Sequence, residues 1–184
     1  FATDGVGAFT ALSAAFNAHL GVVDNRNAYE RMESEKFNFL RGTPVVAGDD
    51  VDGTGVAGAM KNQQYIGYRN VDFGTRYASH LNVRLNFIRA TGSIKVYADS
   101  PEKGTLIANI GYADAQATKQ WVDVNVPLEC PITGKHNIYF VASGVNNVDL
   151  VSMNWFQFES NNTIYADVTN NGGKLTSSFA SSLP

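Results

Sequence analysis

The stretch His80–Ala90, HLNVRLNFIRA, decides the fold. Leu81, Val83, Leu85 and Phe87 alternate with Asn82, Arg84 and Asn86. A period of two sends apolar side chains to one face of a strand and polar ones to the other. Such a strand covers a core on one side only. The pattern recurs downstream. In QWVDVNV (120–126), Val122, Val124 and Val126 alternate with Trp121, Asp123 and Asn125; in GKHNIYFVAS (134–143), Ile138 and Phe140 alternate with Asn137 and Tyr139. In SMNWFQFE (152–159), Asn154, Phe156 and Phe158 are expected on one face, and Met153, Trp155 and Gln157 on the other. Turn signals separate the runs: RGTP (41–44), GDDVDGTG (48–55), RATGS (89–93), DSPEKG (99–104), CPITGK (130–135) and SGVNN (143–147). Short strands with frequent turns predict an all-β fold, a sandwich of two antiparallel sheets.

The alternation spans roughly residues 29–159, one domain by length. Residues 1–28 read as a tail, with an Ala-rich segment, FTALSAAFNAHL, compatible with a short helix or with the remnant of a preceding domain. Residues 160–184 end in the polar TNNGGKLTSSFASSLP and read as an extension or linker, though TIYADV is β-like. The chain has 184 residues, 44% apolar and 17% charged, enough for a core without covalent staples. A net charge of −3 argues against a nucleic-acid partner, which needs a basic patch to neutralise phosphates. No run approaches the ~18 apolar residues that suggest a membrane span. Cys130 is the one cysteine, so no disulfide forms within the chain. The first residue is Phe1, and the chain is read as a processed or excised piece.

Individual motifs narrow the function. GTGVAG (53–58) matches GxGxxG, but the adjoining AMKNQQYIGY leads into a strand and not a helix, which argues against a dinucleotide site. Asp50 and Asp52 in the acidic loop have the spacing of a calcium loop, but Lys61 stands where an EF-hand needs Glu; the expectation is a solvated acidic loop. His19, His80 and His136 are scattered. Cys130 precedes Pro131 in a turn-like segment, a poor setting for a nucleophile, and no facing acid pair suggests glycoside hydrolysis. The chain is therefore read as non-enzymatic. Trp121 falls on the polar side of its strand, either tucked under a loop or serving as a stacking platform for a sugar ring. In YERMESEKFNF (29–39), Glu33 and Glu35 are two apart in an apparent strand, which would bring two carboxylates to one face. A hard cation between them would turn that repulsion into attraction.

Several segments resemble family 6 carbohydrate-binding modules. ERMESEKFN is similar to the family's opening strand, usually written E-A-E, and YIGYRNVDFG to its W-x-x-Y-x-x-V-D-F-G strand. IKVYADSPEKGTLIANI resembles a strand, D-S-x-x-G-x turn and strand. QWVDVNVPLECPITGKHNIYFVASG resembles W-x-x-V-x-V followed by G-x-H-x-I/L-Y-x-V, and DLVSMNWFQFE resembles N-L-F-N-F-N-W-W/F-x-F. The resemblance implies a jelly-roll β-sandwich in a secreted, extracellular protein, linked covalently to a glycoside hydrolase and binding xylan, arabinoxylan or β-glucan. It implies a structural Ca²⁺ held by Glu33, Glu35 and Asn154. The family's loop cleft places a Tyr and a Trp around the sugar; the matching positions here hold Ala59 and Thr118, with Asp149 in the Asn position, so Tyr112 is the remaining aromatic candidate there. Tyr65 matches an aromatic of the concave face, and Trp121 and Arg84 are expected to complete a platform with it. The alternative is a spacer of the same fold that has lost its sugar site.

Overall fold

The computed structural model describes residues 26–50 and 55–160. The elements are β1 (Arg26–Asn27), β2 (Met32–Glu33), β3 (Phe39–Arg41), β4 (Val45–Ala47), β5 (Gly55–Met60), β6 (Tyr65–Asp72), β7 (Ala78–Phe87), β8 (Ser93–Ala98), β9 (Thr105–Gly111), a one-turn helix α1 (Tyr112–Ala115), β10 (Trp121–Ile132), β11 (Lys135–Ser143) and β12 (Val151–Ser160). They form two sheets. The first runs β1-β6-β11-β8-β9, with β3 also on β6; the second runs β10-β7-β12-β5-β4, with β2 also on β12. The expected β-sandwich is observed. Strands adjacent in a sheet are mostly distant in sequence, and the pairings are antiparallel apart from β1 on β6.

The alternation read from the sequence sets the faces. Leu81, Val83, Leu85 and Phe87 on β7 are fully buried, as are Ile138 and Phe140 on β11. Between the sheets an aromatic cluster fills the core: Phe156 lies 4.6 Å from both Tyr68 and Phe140, and Phe73 lies 4.8 Å from Phe158. Tyr68 keeps its hydroxyl satisfied by donating to Ser34 O at 2.9 Å, as a buried polar group must. Burial pushes its phenol well above the ordinary tyrosine range.

Several elements depart from the expected pattern. The apparent strand carrying Glu33 and Glu35 stops at Glu33, and Ser34–Lys36 form a 3₁₀ turn, so no pleat aligns the two carboxylates. The turn draws Ser34 inward, where its Oγ accepts the Ala57 N–H at 2.9 Å. In β12 a register shift between Met153 and Trp155 sets an extra residue opposite Arg84, the signature of a bulge. Met153, opposite Leu85, is thereby buried in the core, while Asn154 leaves the Phe156 face and meets the loop outside the sheet. Cys130 lies inside β10 and not in a turn. Arg26–Asn27, assigned above to the tail, already pairs with β6. The Ala-rich segment, Asp52 and TIYADV lie outside the described residues.

Candidate functional site

The outer face of the second sheet carries polar side chains locked together. Arg84 on β7 grips Asp50 with both prongs of its guanidinium, Nε to Oδ2 at 2.5 Å and Nη2 to Oδ1 at 2.7 Å, and reaches Asp123 on β10 at 2.8 Å. The Asp50 side chain is 2% exposed and that of Arg84 is 17% exposed. Asn154 donates to the same Asp50 carboxylate at 2.7 Å. The acidic loop is thus clamped onto the sheet at Asp50, and the expected solvated loop is corrected there. Trp121 is half-buried, and its Nε1 donates to Asp49 Oδ1 at 2.7 Å, which ties the indole edge to the acidic loop. Beyond these, Asn82, Asn125 and Glu159 form a second hydrogen-bonded group.

Tyr65 is on the other side of the molecule. It belongs to β6 in the first sheet, whereas Arg84 and Trp121 belong to β7 and β10 in the second. Ile66 and Tyr68 point into the core, so Tyr65, Gly67 and Arg69 point outward. The expected platform of Tyr65, Arg84 and Trp121 does not exist, because a sandwich core separates its members. Sequence alternation assigns each side chain to the inside or outside of its own sheet, and both sheets have an outside.

The outer face of the first sheet presents two cross-strand rows. The register aligns Arg41, Tyr65, Val141, Lys95 and Asn109 in one, and Phe39, Gly67, Tyr139 and Tyr97 in the next. Phe39 stacks on Tyr139 at 5.5 Å with the planes 27° apart, and Tyr65 meets Tyr139 edge-on at 5.8 Å. Gly67 makes this possible: a Cβ there would stand 2.6 Å from Tyr139 Cδ1. The Arg41 guanidinium lies 4.8 Å from the Tyr65 ring centre and bonds Glu102 and Gln63 O. Arg69 lies 5.1 Å from the Phe39 ring centre. Asn62, Gln63, Lys95, Tyr97, Glu102 and Val141 line a groove of about 380 Å³. Phe39, Lys95, Tyr97 and Tyr139 are not among the binding residues expected from the sequence. The inward alternation of Ile94, Val96 and Ala98 marks Lys95 and Tyr97 as outward, and that was the available signal.

The remaining predicted residues fall elsewhere. Backbone bonds Leu150 N to Met60 O, Ile88 N to Leu150 O and Lys119 N to Phe87 O gather the loops at one end of the sandwich. There Asp149 faces Lys61 at 3.9 Å, and Thr118 is exposed. Tyr112 packs partly on the core with its ring edge-on to Phe87 at 6.4 Å, not as a free wall of a cleft. A hollow of about 450 Å³ at the opposite end contains Tyr29, but Arg76 covers that ring at 4.2 Å.

Glu33 stands opposite Trp155 and is ion-paired with Arg31 at 2.8 Å, while Arg31 lies over the Trp155 ring. Glu35 is half-buried, with Oε2 shielded from solvent. Asn154 is buried within the same region of β12. Among the described residues no three His, Cys, Asp or Glu side chains converge as a metal site.

Comparison with known proteins places this geometry. The model of the family described as carbohydrate binding module (family 6) matches residues 33–160. Endo-1,4-beta-xylanase A of Thermoclostridium stercorarium is 32% identical over 130 residues, covering 67% of this chain and 23% of the xylanase. Arabinoxylan arabinofuranohydrolase of Bacillus subtilis is 26% identical over 149 residues, covering 79% of this chain and 28% of the hydrolase. The chain thus spans about a quarter of the length of these relatives. A β-1,3-glucan-binding module of the family from Bacillus halodurans superimposes with a TM-score of 0.67 at 29% identity, over 74% of this chain and 100% of that one. A module from Clostridium cellulolyticum, solved with xylose, gives 0.62 at 29% identity, over 73% and 100%. Strands β3 to β12 lie within the matched span, and the chain belongs to the family 6 carbohydrate-binding modules, which are non-catalytic domains.

Proposed function

We propose that this chain binds a plant-type polysaccharide, xylan or arabinoxylan, through the outer face of its first sheet, and that it holds a covalently linked glycoside hydrolase at that substrate outside the cell. The observation that carries this reading is the half-exposed Tyr97, which lines the groove together with Lys95, Asn62 and Gln63. A pyranose has apolar C–H faces and a hydroxyl rim, which suits aromatic rings flanked by Asn62 and Gln63. The relatives that act on xylan and arabinoxylan support the ligand class. Tethering raises the effective concentration of a linked enzyme at its polymer without any change in its chemistry.

A structural Ca²⁺ is part of the proposal. Two carboxylates, Glu33 and Glu35, and the amide oxygen of Asn154 would supply the hard oxygen ligands such an ion takes. Asn154 turns its amide nitrogen to Asp50, so Oδ1 is the atom it would offer the ion. When bound, the ion would tie the turn after β2 to β12. Chelation with EDTA is expected to lower the melting temperature, and excess Ca²⁺ to restore it; an unchanged melting curve would remove the ion from the account.

The binding test is affinity electrophoresis of the whole chain through xylan, arabinoxylan and β-1,3-glucan gels. Retardation by a xylan is expected, with Tyr97→Ala weakening it about tenfold or more, since stacking on one aromatic is worth ~1–3 kcal/mol by analogy with nucleobases. Trp121→Phe is expected to leave it intact. The spacer reading is favoured by Ala59 and Thr118, which leave the loop end without its two aromatic walls. Absence of retardation in every gel would establish it.

A further inference from the structure

The two outer faces differ in charge. The second sheet's face carries Asp50 and Asp123 on Arg84, Asp49 on Trp121, and Glu159 on Asn82 and Asn125. The first sheet's face carries Arg41, Arg69 and Lys95 around its aromatic row. Its two nearby carboxylates are engaged: Glu102 is bonded by Arg41, and Asp99 faces His136 Nδ1 at 2.9 Å and Asn137 N at 3.2 Å. Among the described ion pairs none involves Arg69 or Lys95. In a chain of net charge −3, this is a local reversal of sign on the face that carries the proposed binding groove.

Lys95 shares its cross-strand row with Tyr65, and Arg69 lies four residues along β6 from Tyr65 on the same face. Strand spacing then separates the two cations by roughly 10 Å across the sheet and roughly 13 Å along it, with Tyr139 and Tyr97 between. Either cation can donate to the hydroxyls of a neutral glycan, but only an anionic substituent also uses its charge. It matches a chain whose sugar rings lie on the aromatics and whose substituents carry negative charge.

We propose that the first-sheet face selects an acidic polysaccharide, a xylan bearing uronic acid side groups, with Lys95 and Arg69 receiving the carboxylates. This rests on the reading that the same face binds xylan. Carboxylate is the assigned anion because a planar guanidinium matches it in bidentate geometry, and because uronates are the acidic substituents of xylans.

The test compares glucuronoxylan with the same polymer after its carboxyl groups have been reduced to alcohols, by isothermal titration with the whole chain at low and at moderate salt. Exposed pairs are individually weak, so two of them should give about threefold to tenfold tighter binding to the acidic polymer, and that margin should shrink as salt rises. Lys95→Gln and Arg69→Gln should each narrow the ratio of the two affinities, whatever either change does to binding of the reduced polymer. Equal affinity for both polymers overturns the charge inference and leaves the binding face standing. Tighter binding of a sulfated glycan than of the uronate overturns the assignment to carboxylate. If a folded chain binds neither xylan, the binding reading itself fails and takes this inference with it.

Discussion

Replacing Asp50 with alanine is expected to destabilise the sandwich by about 3–4 kcal/mol without touching glycan binding. The structure supplies two terms. Asn154 loses an acceptor of its buried amide, and a buried donor deprived of its acceptor costs ~1–3 kcal/mol. Arg84 loses both bonds of a bidentate pair, and removing one partner of a buried pair costs ~3–5 kcal/mol when nothing replaces it. Arg84 keeps Asp123 and is partly exposed, so the second term falls well below that range. For a folded unit of this size the sum corresponds to a drop of roughly 10–15 °C in melting temperature. Urea unfolding followed by tryptophan fluorescence measures it, and an unchanged m-value would show that compactness is preserved. The partner test is Arg84→Met combined with Asp50→Leu, which should recover the Arg84 term, because two apolar residues leave no uncompensated charge there, and leave the Asn154 term in place. A loss below ~1 kcal/mol for Asp50→Ala, no more than an ordinary substitution, would refute the clamp. So would loss of xylan retardation at a temperature where the variant is folded, since that would return Arg84 to the binding surface.

The first sheet and the core each supply one more expectation. Gly67→Ala drives a methyl into Tyr139 and the Phe39 side chain; it should cost ~1–3 kcal/mol as overpacking and also weaken xylan retardation, because the buried Tyr139 ring supports its cross-strand neighbour Tyr97. Unaltered stability and binding would show that the Tyr139 ring moves aside freely. Tyr68 stays protonated in the folded chain above about pH 10, where the unfolded chain releases its phenolic proton. Its contribution is intact below the unfolded value and is lost as pH rises from there toward the folded one, so wild type should lose ~1.4 kcal/mol per pH unit more than Tyr68→Phe in that window. Parallel slopes in alkaline urea titrations would contradict the buried assignment.

The sequence by itself determined which side chains on the long strands face inward. That rule is local, since a pleated strand alternates whatever it is paired with, and the alternating runs of β7 and β10 obey it, whereas in β11 the outward Tyr139 and Val141 are buried as well. It determined the sandwich class too, because many short one-sided strands need a second sheet to cover them. Tertiary structure decided which outward side chains share a surface. Tyr65, Arg84 and Trp121 are all outward, yet β6 joined one sheet and β7 and β10 the other, a matter of strand order that no local pattern encodes. It also decided the break after Glu33 and the bulge at Asn154. Both depend on partners more than a hundred residues apart in the chain: Glu33 opposite Trp155, and Asp50 meeting the Asn154 amide. The aromatic row came from the same source. Phe39, Tyr139 and Tyr97 are ordinary residues singly, and only the β3-β6-β11-β8 register sets them side by side over the gap left by Gly67.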